Sequence, residues 1–192
     1  MKLLQPIKSI IFILTFLVCL TSCTKDDLND ESNLSAVSVK LKSSTGELNN
    51  VFIEIEDVLL RVKDNDNAPE AWTSLNAINK GTYNTSDLKE HSELLLVDNF
   101  EIESSYIYEI RLVLGDNNFI DLDNTLHSLD VSDLGKATAS NTLKTELVKH
   151  RFYDFVINID IDRSVSFSTD ENMMVLIPKI YTEIRQVQYS LF

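Results

Sequence analysis

The chain has 192 residues, 44% of them hydrophobic, and carries 30 acidic against 17 basic side chains, a net charge of −13. This length suffices for one ordinary domain with its own hydrophobic core. The negative charge excludes nucleic acid as an expected partner, because affinity for nucleic acid depends on neutralising phosphates.

The first residues have the three parts of an export signal. Lys2 and Lys8 supply positive charge, and an uncharged, mostly apolar run follows from Ser9 to Leu20. That run is shorter than the about 20 apolar residues needed to span a bilayer. It ends in the tetrapeptide Leu20-Thr21-Ser22-Cys23.

An aliphatic residue and two small residues before a Cys resemble the lipobox of bacterial lipoproteins. The resemblance implies that a diacylglyceryl group is attached to the sulfur of Cys23, that a signal peptidase cuts before it, and that its new amino group is acylated. The implied partner is a lipid bilayer. Two or more acyl chains anchor a protein stably. The alternative is an ordinary cysteine that follows a signal peptide.

The sequence thus predicts three parts: a signal peptide (1–22), an acylated Cys with a flexible acidic tether (23–35), and a folded domain (36–192). Removing residues 1–22, which carry two lysines and no acidic residue, would change the net charge to −15. Cys23 would then be the remaining cysteine, so we expect neither a disulfide nor a thiolate metal site.

The residues after Cys23 predict the location. Asp does not follow the Cys directly, so the enterobacterial inner-membrane retention signal is missing. Lys25-Asp26-Asp27 resembles the signal that displays lipoproteins on the cell surface in the Bacteroidota. We therefore predict an outer-membrane lipoprotein that faces the cell exterior, with a periplasm-facing orientation as the alternative.

Alternation of apolar and polar residues predicts strands about every ten residues, separated by polar turns. A phase shift near Asp57 predicts a bulge, and Pro178 predicts an edge or a bulge in the last long strand. Ser86 or Asp87 could cap a short helix that carries Leu88, Leu94 and Leu95. Together these features predict an all-β, antiparallel β-sandwich. The strands with the clearest pattern are Val37–Leu41, Val51–Val62, Tyr106–Leu114, Phe152–Asp162 and Met173–Tyr181.

Several of these segments occur in the same order in one known family. Its most specific part is Arg111-Leu-Val-Leu-Gly-Asp-Asn-Asn118, and the others include Trp72, Val156–Asp160 and Val175–Pro178. From about Ser35 to Ile184 the chain resembles the bacterial and archaeal family "domain of unknown function 4382". The resemblance implies an immunoglobulin- or transthyretin-like sandwich on exported proteins, and it implies no activity.

One acidic segment has a partial calcium-loop pattern. Asp160, Asp162, Ser164 and Glu171 match the first, third, fifth and twelfth positions, but Val165 stands where a Gly is needed. Weak Ca²⁺ binding is therefore a hypothesis, with solvated turn residues as the alternative. We expect no other cofactor, because the histidines are scattered and no zinc spacing is present.

Two residues in apolar surroundings are further candidates. Trp72 is predicted to anchor the core, with stacking on a sugar as the alternative. Arg111 is predicted to form a structural ion pair or to lie on an exposed sheet face, with ligand binding as the alternative. No nucleophile pattern is present, so we expect no enzyme.

The sequence favours a monomeric surface lipoprotein that serves binding, adhesion or envelope assembly, with a glycan or a surface protein as the partner. The alternative is a periplasm-facing accessory protein or a weak glycan-active enzyme.

Overall fold

The computed structural model describes residues 33–44, 46–48, 50–89, 92–103, 105–131, 138–169 and 172–187, which belong to a compact unit beginning at Asn33. Within them the strands are β1 (Leu34–Ser43), β2 (Val51–Arg61), β3 (Trp72–Ser74), β4 (Gly81–Asn84), β5 (Leu94–Glu103), β6 (Tyr106–Leu114), β7 (Phe119–Leu122), β8 (Thr125–Asp130), β9 (Thr138–Glu146), β10 (Phe152–Ile159), β11 (Val165–Ser168), β12 (Met173–Leu176) and β13 (Ile180–Val187). The helical segments are a 3₁₀ turn at Thr85–Leu88 and α1 (Ile161–Ser164).

The strands form two packed sheets, which confirms the predicted all-β sandwich. Sheet 1 has the order β13-β10-β1-β5, and sheet 2 has the order β11-β12-β8-β7-β2-β6-β9, with β3 and β4 also paired to β2. Most pairs are antiparallel, but β1 pairs with β10 and β12 with β8 in parallel. Each sheet thus contains one parallel pair and is mixed. A parallel pair needs a long connection between its two strands, so it joins segments far apart in sequence.

The core lies between the two sheets. Sheet 1 contributes alternate residues of β1 and β10, such as Val39, Phe155 and Ile157, and sheet 2 contributes Ile53 and Ile110; all five are completely buried. Alternation places these side chains on the inner faces of their strands. The period-two pattern in the sequence therefore identified the inner faces correctly.

The local predictions have mixed outcomes. The bulge near Asp57 is confirmed, because the register of β2 against β6 shifts between Ile55 and Asp57. The predicted short helix is a 3₁₀ turn capped by Asn84, and the leucines at 94 and 95 lie in β5 instead of the helix. Pro178 lies between β12 and β13, where the chain crosses from sheet 2 to sheet 1. A residue without an N–H suits a position where pairing stops.

Candidate binding surface

The outer face of sheet 2 carries an unusual group of side chains, and two bulges place them there. In β2 the bulge at Asp57 turns the residues that follow it in odd positions, Leu59 and Arg61, away from the core. In β6 a second register shift, between Ile107 and Glu109, leaves Tyr108 outside the core as well. The bulges thus put charged and aromatic residues on one face of neighbouring strands.

Strand register brings these residues side by side. Arg61 pairs with Glu109 of β6 on one side and with Trp72 of β3 on the other. Two residues before Arg61 in β2, Leu59 pairs with Arg111 of β6. Residues opposite each other on adjacent strands lie within side-chain contact distance, so these five form one surface.

Stacking holds the aromatic and cationic groups together. The guanidinium carbon of Arg111 lies 3.8 Å from the centroid of the Trp72 ring. The guanidinium carbon of Arg61 lies 5.3 Å from the centroid of Tyr108 and 5.9 Å from that of Trp72. Each such contact contributes about 0.5–1 kcal/mol at an exposed site. We call Arg61, Trp72, Tyr108, Glu109 and Arg111 the arginine–tryptophan surface.

The two arginines differ in how far their donors are satisfied. Arg61 donates from Nε to Glu109 (3.1 Å) and from Nη1 to the carbonyl oxygens of Lys63 (3.0 Å) and Asp64 (2.5 Å). Arg111 has an ion-pair contact of 3.9 Å from Nη2 to Glu109. Its Nε is buried and has no acceptor among the described residues. Arg61 is therefore fixed by the protein. The Arg111 side chain is 29% exposed, so an external acceptor would have to approach its Nη groups and not the buried Nε.

An open depression of about 690 Å³ lies beside Arg111. Its apolar lining includes Leu59, the cross-strand partner of Arg111, and Val113, the residue two positions after Arg111. Its charged lining includes Glu56, Asp57 and Lys80. The depression therefore neighbours the arginine–tryptophan surface through strand register, although the residues of that surface do not line it.

The structure corrects the prediction for Trp72 and confirms that for Arg111. Trp72 is half-buried on the outer face and does not lie in the core, because the register of β3 against β2 places it opposite Arg61, which faces away from the core. Arg111 lies on the outer sheet face with an ion pair, as predicted. Arg61, Tyr108 and Glu109 were not among the predicted site residues. The phase reversal after Asp57 could have identified Arg61, whereas Tyr108 and Glu109 depend on the second register shift, in β6.

The Gly115–Asn118 turn has a structural explanation. Glu54 Oε2 accepts a hydrogen bond from Asn117 N (2.9 Å), and Asn118 Oδ1 accepts one from Glu54 N (2.9 Å). Asn118 is buried and donates from Nδ2 to the Gly115 carbonyl (2.7 Å). The side chains of this turn therefore join β6 and β7 to β2.

The calcium candidates are engaged in hydrogen bonds that fix the local backbone. Asp160 caps α1 by accepting from Arg163 N (3.2 Å). Ser164 donates to the Asp160 carbonyl and accepts from Lys179 N (2.8 Å). Glu171 lies outside the described residues. In the part of the chain that is described, no cluster of three or more His, Cys, Asp or Glu could hold a metal; the Ca²⁺ hypothesis stays a prediction.

Asp162, the remaining calcium candidate, connects two segments that are distant in sequence. Its carboxylate accepts from Glu47 N (2.9 Å) and Leu48 N (3.0 Å). The bond from Leu48, then that from Glu47, lowers the pKa of Asp162 below its ordinary value. A Cβ on Gly46 would lie 2.5 Å from Asp162 Cγ, so glycine lets this carboxylate approach.

The lipobox residues Leu20, Thr21, Ser22 and Cys23 lie outside the described residues, as does His91. Among the described helices, none has the length and apolar character required to cross a membrane.

Comparison with known families now identifies the chain. The family model described as "Domain of unknown function (DUF4382)" matches residues 35–178, about three quarters of the sequence. The chain belongs to the DUF4382 family. No curated protein and no solved structure matches it. The matched range of this DUF4382 protein contains the whole arginine–tryptophan surface and the Gly115–Asn118 turn.

Proposed function

We propose that this DUF4382 protein is a lipid-anchored, extracytoplasmic binding module, attached to the outer membrane through Cys23 and facing the cell exterior. The support for the anchor is the ordered series of positive charge, apolar run, small residues and Cys at positions 2–23. Family membership fixes the domain and leaves its activity open. The arginine–tryptophan surface supports the binding role.

The observation that carries the binding role is the state of Arg111. Its guanidinium carbon lies 3.8 Å from the centroid of the Trp72 ring, its side chain is 29% exposed, and its ion-pair contact with Glu109 is 3.9 Å long. A stacked guanidinium is already oriented, so less conformational entropy is lost when it binds a carboxylate or another oxygen acceptor. Trp, Tyr and Arg are also the residues enriched at binding hot spots.

The surroundings indicate the chemistry of the ligand. Leu59 and Val113 offer an aliphatic floor beside the guanidinium, and the acidic side chains at its border would repel strongly anionic polymers. A ligand with a flat apolar face and one oxygen acceptor fits this area. A sugar ring that bears a carboxylate and a loop of a surface protein are two such ligands. We propose a glycan as the first candidate and a surface protein as the second.

Binding to an array of neutral and acidic oligosaccharides tests this proposal. We expect Arg111→Gln and Trp72→Ala to lose about tenfold or more in affinity, since each removes a contact of about 1–2 kcal/mol. Arg163→Gln is the matched control, because this exposed arginine lies on α1 away from the surface. Equal affinity in all three variants would place any ligand elsewhere.

Membrane attachment needs a separate test. We expect Cys23→Ala to move the protein from the membrane to the soluble fraction and to abolish labelling by palmitate. Label retained on that variant would contradict lipidation of Cys23. Protease treatment of intact cells then separates outward display, in which the domain is cleaved, from the periplasm-facing alternative, in which it is protected.

A further inference from the structure

The connection from β9 to β10 forms a basic and apolar loop at one end of the sandwich. Five consecutive residues, Val148–Phe152, are exposed, and the side chains at its ends are apolar: Val148 is 54% and Phe152 39% exposed. Lys149, His150 and Arg151 lie between them. In a chain with 30 acidic residues and 17 lysines and arginines, this segment places two cationic side chains and a histidine between exposed apolar groups.

Hydrogen bonds fix this loop to the first strand. His150 N donates to the Leu34 carbonyl (2.8 Å), and Ala36 N donates to the Arg151 carbonyl (3.0 Å). His150 has a φ of +59°, a conformation that non-glycine residues adopt in tight turns. The loop therefore has a defined shape and lies directly beside the start of β1.

A further exposed aromatic side chain lies at the same end. Tyr106, which is 39% exposed, opens β6 opposite Glu146, the last residue of β9. Leu147 N, just before the loop, donates to the Ser105 carbonyl (3.0 Å). Tyrosine suits the boundary between water and lipid, because its ring is apolar and its hydroxyl polar.

The start of β1 is where the chain continues toward Cys23. Ten residue steps separate Cys23 from Asn33, and a chain of that length spans at most about 35 Å even when fully extended. The 11 residues of β2 alone extend about 35 Å along the sandwich. The chain toward Cys23 thus leaves the domain at the end that carries this loop, and the opposite end lies about one full tether length away from that exit point.

We infer that the end of the sandwich carrying Val148–Phe152 and Tyr106 rests on lipid headgroups, which sets the orientation of the domain on the membrane. This inference rests on the proposed lipid anchor. Lys149 and Arg151 bind phosphate groups, each contributing about 1 kcal/mol near an anionic surface, while Val148 and Phe152 enter the interface. Glu103, Glu146 and the acidic connection from β2 to β3, with Asp64, Asp66 and Glu70, lie at the same end and limit the attraction. The contact therefore depends on the basic loop and the apolar side chains that border it.

The test uses the lipidated full-length protein in vesicles of phosphatidylcholine and phosphatidylglycerol, some of whose headgroups carry a nitroxide quencher. A fluorophore is attached to Val148→Cys, or to Leu126→Cys as the matched control. Leu126 is an apolar side chain 65% exposed, and it pairs with Asp121 beyond the start of β2, at the opposite end. We expect several-fold stronger quenching at position 148 than at position 126.

Charge neutralisation gives the second measurement. Arg151→Gln should reduce the headgroup-bound population about fivefold, the equivalent of about 1 kcal/mol. Equal quenching at positions 148 and 126, or stronger quenching at 126, would overturn the inference while the protein stays anchored. Failure of the proposed function looks different, because a protein without acylated Cys23 does not stay with the vesicles.

Discussion

Gly115→Ala tests whether the Gly115–Asn118 turn, part of the segment most specific to the family, stabilises the fold through its contacts with Glu54. A Cβ on Gly115 would lie 2.6 Å from Glu54 Cδ and 2.8 Å from Glu54 Cγ, whereas carbon atoms pack at about 3.5–4.0 Å. The backbone itself accepts alanine, because Gly115 is not among the residues with positive φ. The expected damage therefore comes from one side chain 61 positions earlier in the chain.

The size of the effect follows from what Glu54 loses. To avoid the Cβ, its carboxylate must leave the hydrogen bond from Asn117 N (2.9 Å). Such a bond to a charged group contributes about 1.5–3 kcal/mol, and the exposed setting favours the lower value. Replacing Gly by Ala returns about 0.4–1 kcal/mol by restricting the unfolded chain. We expect a net loss of about 1 kcal/mol, or about 2–4 °C in Tm.

The assay is a double-mutant cycle measured by thermal and urea unfolding of Gly115→Ala, Glu54→Ala and the double variant. Without the Glu54 side chain the obstacle is gone, so Gly115→Ala should then stabilise the protein by about 0.4–1 kcal/mol. Gly81→Ala is the contrasting control. It has a φ of +135° and no atom within 4 Å of the built Cβ, so its cost should not depend on Glu54. Additive losses in the double variant would refute the reasoning.

Three further predictions concern stability. Phe155→Ala, at a completely buried side chain, should cost about 3–5 kcal/mol by urea unfolding, whereas Phe167→Ala, at a side chain 55% exposed, should change stability by less than about 0.5 kcal/mol; similar losses would contradict the assigned core. Asp162 has a lowered pKa, so its stabilising contribution is complete above the ordinary Asp pKa of about 4 and is lost as the pH falls through the lowered value. Asp162→Ala should therefore lower the Tm near neutral pH and flatten its decline in acid, and an unchanged pH profile would contradict the two backbone hydrogen bonds.

Strand positions could be predicted because alternation directly reflects burial. Val37, Val39 and Leu41 face the core, and so do the alternate residues of β10. The phase shift near Asp57 was visible for the same reason, since a bulge moves apolar residues from odd to even positions. A pattern of this kind needs only neighbouring residues, so the sequence contains it.

Pairing between distant segments could not be predicted in the same way. The parallel pairing of β1 with β10 joins residues more than 100 positions apart, and alternation is the same for parallel and antiparallel partners. The leucines at 94 and 95 were assigned to a helix because a short apolar run does not distinguish the two structures. Both outcomes depend on tertiary contacts.

The candidate site was predicted least well, because it depends on which face of a strand is covered. Trp72 is the largest apolar side chain in its segment, so the core was the natural expectation. The structure places it under Arg111 on the outer face. The carboxylates that approach Gly46 and Gly115, those of Asp162 and Glu54, belong to distant residues that no local pattern connects.

The measurement that tests the account most directly is mass spectrometry of the N-terminal peptide from the native protein. Both the proposed function and the inferred orientation depend on acylation of one residue. The account predicts a chain that begins at Cys23 and carries fatty acids on the sulfur and the amino group. A chain that retains Met1, or that begins elsewhere without fatty acid, would contradict it.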